Sequence, residues 1–116
     1  MKENIVVSKS FKFSVSVIRI YQFLVSEKKE YILSKQILRS GTSIGANIEE
    51  AIGGISGKDF TAKMSIAYKE ARETKYWLKL LHETNYLSDK QFNTLLEDCE
   101  ELLKILYSII NTSKNK

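Results

Sequence analysis

The chain has 116 residues, enough to bury one core but not two, with no proline and five glycines, all between positions 41 and 57. That composition excludes a turn-rich β fold, and the single Cys99 excludes an intrachain disulfide framework and suits a reducing compartment. A net charge of +4 is spread unevenly: residues 1–30 carry six basic and three acidic groups, residues 57–84 six and four, and residues 88–113 two and five.

Such asymmetry fits a basic face for nucleic acid, or complementary faces meeting between subunits. No apolar run reaches the roughly 18 residues of a membrane span, and Ile5–Val7 is too short for the apolar core of a signal peptide. A cytoplasmic protein with no membrane partner is therefore expected.

Residues 1–7 read as extended or frayed. Phe11, Phe13, Val15 and Val17 alternate as a strand would, yet Phe11, Ile18, Tyr21 and Val25, flanked by Val17, Ile20 and Leu24, suit a broad apolar helix face. Length decides for a helix over 9–28. The second helix is expected over 31–52, ended by Gly53-Gly54. Its seam, Ile37, Gly41, Ile44, Ile48, Ala51 and Ile55, steps by four and three. Gly41 and Gly45 leave one flank almost bare backbone. Each costs roughly 1 kcal/mol against alanine, a loss that close packing by another helix offsets.

Ser56 with Asp59 forms an N-terminal cap with an acid in the first turn, opening a helix over 57–84. Its seam is Phe60, Met64, Ala67, Ala71, Thr74, Leu78 and Leu81. Ser88 with Gln91 makes a capping box, and Leu87 against Phe92 a hydrophobic staple, for a fourth helix over 88–112. The tail, 113–116, is expected to be disordered. Four helices with short connections predict a single all-α domain over 1–116, an antiparallel up-and-down four-helix bundle. The apolar faces of helices one and four exceed what a lone bundle needs, which points to self-association.

Enzymatic chemistry finds little to work with. Bundle metal sites use carboxylates with Glu-x-x-His pairs, but His82 is the sole histidine and Lys79 stands where that motif needs glutamate. Glu70, Glu73, Glu97 and Glu100 then read as ordinary helical charges. Cys99 falls on an apolar seam, where an inert thiol is expected. No nucleophile elbow or phosphate-cradling glycine loop is present. The chain reads as a non-enzyme without metal or cofactor.

Two other constellations stand out. Lys69, Arg72, Tyr76 and Lys79, with Lys75 beside them, lie on the outward side of helix three. A basic stripe with an aromatic suits phosphate contact and base stacking; the bland reading is a solvated face with a Lys69–Glu73 pair. Lys12 and Arg19 extend such a face. The second is a polar stripe, Gln36, Ser40, Ser43, Asn47 and Glu50, with Arg39 one position outside it and Glu70 and Glu73 opposite. These form a hydrogen-bonded network that sets packing, or else line a pore or cleft; packing is the commoner use.

The stretches LSKQILRSGTSIGANIEEA and GKDFTAKMSIAYKEARETKYWLKLL, with KSFKF near Lys9–Phe13, make the chain resemble the bacterial four-helix-bundle family, also called the 23S rRNA-intervening sequence protein family. The resemblance rests on Gln36, Arg39-Ser40, Ser43-Ile44, Ala46-Asn47-Ile48, Glu50, Asp59-Phe60, Glu70 and Glu73. Gly53-Gly54 and Gly57 depart from it and imply a looser connection. The resemblance implies an up-and-down bundle assembling as a homopentamer around a channel. Members are encoded within intervening sequences of large-subunit ribosomal RNA genes. A related group serves diversity-generating retroelements, where a basic pentamer engages nucleic acid and a reverse transcriptase. It implies no enzymatic activity. The leading expectation is a pentamer that binds RNA or DNA through Lys69, Arg72, Lys75, Tyr76 and Lys79, with Lys12 and Arg19 second. The rival is a protein-interaction scaffold in which those charges meet Glu97, Asp98 and Glu101 between subunits.

Overall fold

A computed structural model describes the backbone of residues 2–115 and the side chains of residues 4–115. It contains four helices and, among the described residues, no strand: α1 Lys2–Ser26, α2 Leu33–Ile52, α3 Gly57–Glu83 and α4 Asp89–Lys114. They form an elongated four-helix body of 46 × 21 × 19 Å. Each helix packs on two others: α2 on α1 and α3, and α4 on α1 and α3. Among the described residues, α1 and α3 stand diagonally, as do α2 and α4, with no close approach of their backbones. No helix of the described residues is long and apolar enough to cross a membrane.

The first helix corrects the expectation of extended residues 1–7 and a start at Lys9. It begins at Lys2, because Val6 is fully buried and continues the inward series Ser10, Phe13, Val17 and Leu24. Met1 lies outside the described residues. The apparent strand-like alternation is two helix faces: Phe13 and Val17 point into the core, while Phe11 and Val15 point outward. At the other end α4 runs through Lys114, so the expected disordered tail is helical over 113–114. The Ser113 hydroxyl hydrogen-bonds that of Thr61 on α3, which holds the last turn in place. Lys116 lies outside the described residues.

Helix α2 begins at Leu33 rather than Tyr31, and its cap is one the sequence did not advertise. Glu30, only 9% exposed, accepts from the backbone N–H groups of Ser34 at 2.7 Å, Leu33 at 3.1 Å and Ile32 at 3.2 Å. Ser34 returns a hydroxyl hydrogen bond to the Glu30 carbonyl at 2.8 Å. One carboxylate thus satisfies three of the donors a helix start leaves without partners. The caps of α3 and α4 follow the sequence: Ser56 accepts from the Asp59 N–H at 3.1 Å, and Ser88 and Gln91 form a reciprocal box.

Helix α2 meets α1 at the glycines. A methyl group on Gly41 would lie 2.7 and 2.8 Å from the two Cγ atoms of Val17, whereas one on Gly45 would meet only Ser14 and Ser10 atoms at 3.3–3.5 Å. In the connection of residues 53–56 the extra glycine is not used for left-handed backbone, since no glycine among the described residues has positive φ.

Candidate nucleic-acid interface

The α3 stripe is a consequence of helical spacing on a face that α4 only partly covers. Lys69, Arg72, Tyr76 and Lys79 are exposed and Lys75 is half-buried. Arg72, Lys75, Tyr76 and Lys79 line an open cleft of about 350 Å³ between α3 and α4, with Tyr68 and Leu103 completing its walls. Lys69 lies outside that lining, on the outer side of α3. At one end of the cleft the Tyr68 ring meets that of Tyr107, centroids 6.2 Å apart. Tyr76 and Tyr107 are 55% and 59% exposed.

The charges in the cleft are not equivalent. Lys75 is held by Glu100 of α4, Nζ to Oε2 3.0 Å. That hydrogen bond, with the fields of Lys75, Lys104 and Lys79, holds the Glu100 carboxyl below the usual range. Among the described residues neither Arg72 nor Lys79 is paired with a carboxylate, and the Lys69–Glu73 pair of the bland reading is absent. Glu73 is engaged elsewhere.

It belongs to a cluster on the α2–α3 seam. Arg39 Nη1 donates to Glu70 Oε2 at 2.8 Å and Nη2 to Glu73. The Trp77 indole N–H donates to the same Glu73 oxygen at 2.9 Å. The Trp77 hydrogen bond is the largest influence lowering the Glu73 carboxyl, followed against burial by Arg39; the Glu73 hydrogen bond in turn raises Arg39. Trp77 meets the Tyr76 ring edge-on, centroids 5.1 Å apart. Arg39, Glu73 and Trp77 therefore form a continuous brace behind the aromatic side chain of the cleft.

The rest of the polar stripe is divided rather than joined. Buried Ser40 lies 2.9 Å from the Thr74 hydroxyl, which donates to the Glu70 carbonyl at 2.8 Å. Asn47 Nδ2 donates to the Ser43 carbonyl at 2.8 Å and approaches its hydroxyl at 3.1 Å. Glu50 pairs with Lys63 at 3.0 Å, and Gln36 is exposed. Ser40–Thr74 and Glu50–Lys63 tie α2 to α3, whereas Ser43–Asn47 is a tie within α2.

Lys12 and Arg19 are exposed, but on α1, diagonal to α3. Lys12 borders a hollow with Lys9, and Arg19 borders another with Lys90. Within one chain they do not extend the α3 face. Sequence reasoning missed Tyr68, Leu103 and Tyr107 and the pairing of Glu100; the 3–4 spacing marked α3, but nothing local told which flank of α4 would meet it.

Burial pushes the Cys99 thiol up to about 12, and its sulfur contacts the Ala71 carbonyl at 3.3 Å. His82 Nε2 lies 2.7 Å from Asp89 Oδ1, with its ring stacked on Phe92 at 4.1 Å. Among the described residues no three His, Cys, Asp or Glu side chains are grouped to hold a metal ion.

Comparison with curated proteins gives no match. Among solved structures, the chain is similar to a protein of unknown function from the S23 ribosomal protein family of Bacteroides thetaiotaomicron VPI-5482. The two share 52% identity and a TM-score of 0.94, over 96% of this chain and 99% of that one. The family described as 23S rRNA-intervening sequence protein matches residues 2–108, almost the whole of the four helices. The chain belongs to the 23S rRNA-intervening sequence protein family.

Proposed function

We propose that this chain is a non-enzymatic, cytoplasmic protein that assembles as a homopentamer and binds nucleic acid through the α3–α4 cleft. The observation that carries the reading is the cleft itself. Among the described residues Arg72 and Lys79 have no carboxylate partner, and they line the cleft with exposed Tyr76 and half-buried Tyr68, the composition that phosphates and bases contact. The antiparallel arrangement is supported for α3 and α4 by pairings that run up one helix and down the other: Thr61 with Ser113, Lys75 with Glu100, His82 with Asp89. Self-association is supported by Phe11, Val15 and Ile18, which are 69%, 36% and 40% exposed on α1. The number five rests on the family resemblance, as does a reverse transcriptase as possible partner. Repetition of a weak site raises effective concentration, so five clefts bind a long polyanion far more tightly than one.

The scaffold reading is less favoured: of the α4 acids it would use between subunits, Glu97, Asp98 and Glu101, the last is engaged by Lys9 of the same chain.

The test is a titration of purified protein against labelled structured RNA and duplex DNA at several salt concentrations, with mass measured on the same sample. Binding that weakens steeply with salt, and is lost in the K69E/R72E/K79E variant at unchanged mass, is expected. No binding to either at about 50 mM salt overturns the proposal. Dissociation of the triple variant would place the stripe at a subunit interface instead.

A further inference from the structure

The proposed nucleic-acid reading leaves open what form of nucleic acid the cleft takes, and its aromatic side chains bear on that. Resting on that reading, we infer that the α3–α4 cleft is a site for single-stranded nucleic acid, with Tyr76 as a base-stacking platform.

Three observations converge. First, the cleft is aromatic as well as basic. Tyr76 and Tyr107 expose more than half their surface; Tyr76 lines the cleft with Arg72, Lys75 and Lys79, and Tyr68 lines it at the end where its ring meets Tyr107. A duplex presents phosphates to such a surface and keeps its base faces stacked inside, so the rings would gain nothing from it. A single strand offers every base face.

Second, Tyr76 is held from behind. Its ring abuts Trp77, whose indole N–H is fixed by Glu73, which Arg39 clamps from the neighbouring helix. A ring meant only to cover surface needs no such support. A stacking platform does, because a pre-ordered ring loses less rotamer freedom when a base settles on it. Glu73 and Arg39 are positioning residues in this arrangement.

Third, the dimensions suit a short strand. From Tyr68 to Lys79 the helix rises roughly 16 Å at 1.5 Å per residue, the length of about five nucleotides at the ~3.4 Å per-strand spacing of a stacked chain. That falls within the range of single-strand sites built from aromatic and basic side chains. Arg72 and Lys79, about 10 Å apart along the axis by the same rise, are available for the phosphates. Lys75 is the reserve, released when a phosphate displaces Glu100.

The experiment compares three probes on the intact, full-length protein by fluorescence anisotropy. They are a thymidine oligonucleotide of about 15 nucleotides, an abasic oligonucleotide of the same length and charge, and a blunt duplex of that length. Tyr76→Ala and Tyr76→Phe are measured beside the parent, with circular dichroism confirming the fold; the ring is exposed, so neither change touches the core. The thymidine strand should bind roughly tenfold or more tighter than the abasic strand and the duplex. Y76A should lose that advantage and Y76F keep it, since stacking uses the ring and not the hydroxyl. Glu73→Gln should lower thymidine binding while leaving abasic binding unchanged, which a change in net charge alone would not do. Equal binding of abasic and thymidine strands, tighter binding of the duplex, or an indifferent Y76A overturns the inference and leaves a phosphate-binding cleft standing. Failure of all three probes, and of structured RNA, overturns the parent reading as well.

Discussion

Gly41 is the point at which the α1–α2 packing is most exposed to experiment. In a helix interior, glycine to alanine ordinarily stabilises by about 1 kcal/mol. At Gly41 the new methyl would fall 2.7 Å from Val17 Cγ1 and 2.8 Å from Cγ2, and Val17 is fully buried. A β-branched side chain in a helix has little rotamer freedom with which to retreat. Overpacking costs about 1–3 kcal/mol, so after the propensity gain of about 1 kcal/mol G41A should be destabilised by up to roughly 2 kcal/mol, centred on about 1 kcal/mol. For a chain of this size a loss of about 1 kcal/mol lowers Tm by roughly 4 °C. Gly45, whose methyl would meet a Ser14 hydroxyl at 3.3 Å, should tolerate alanine, with Tm unchanged or a few degrees higher. Thermal unfolding followed by circular dichroism at fixed protein concentration measures both. Adding V17A to G41A completes a double-mutant cycle: the pair should be no less stable than V17A alone. If G41A raises Tm as G45A does, close approach is not what places glycine there. If the cycle is additive, Val17 is not the obstacle.

Three further outcomes are expected. Glu30→Ala removes the acceptor for three backbone N–H groups at the start of α2 and should cost roughly 1–2 kcal/mol in urea unfolding; a loss near zero would deny Glu30 its capping role. Glu73 has a depressed carboxyl. Its contribution is thus fully present above the unfolded glutamate value of about 4.3 and is lost as pH falls through the lower folded value. Trp77 emission should change in that acidic window and not in Glu73→Gln. Native Cys99, buried with its thiol raised to about 12, should resist alkylation at pH 8, where an exposed thiol of pKa about 8.5 reacts readily, and should become reactive on unfolding.

What the sequence carried depended on how local each determinant was. The starts of α3 and α4 were legible because Ser56 and Ser88 sit within three residues of the groups they cap. The start of α2 was not, since Glu30 reaches forward from a turn containing Lys29 at φ 54° and does not belong to the residue types that usually mark a helix start. Residues 1–7 looked extended because Ile5, Val6 and Val7 are β-branched; burial of Val6 against the core overrides that preference. The α3 stripe was legible from its spacing. The cleft was not, because Leu103, Glu100 and Tyr107 join it only through the rotation of α4 against α3. Likewise the polar stripe was visible as a stripe, while the ties Arg39–Glu70–Glu73 and Ser40–Thr74 depend on side chains meeting across helices and Ser43–Asn47 closes within α2.

The chain holds one tryptophan, and its place has a practical consequence. Trp77 is next in sequence to the exposed ring of the cleft and bonded to the carboxylate that ties α3 to α2. Its emission is therefore a built-in optical gauge, read without any label. A disturbance on the cleft side reaches it through Tyr76, and a loosening of the helix seam reaches it through Glu73. Stacking on Tyr76 enters by the first route, while acid titration of Glu73 enters by the second and, through the brace on Tyr76, reaches the first, so a single signal reports both.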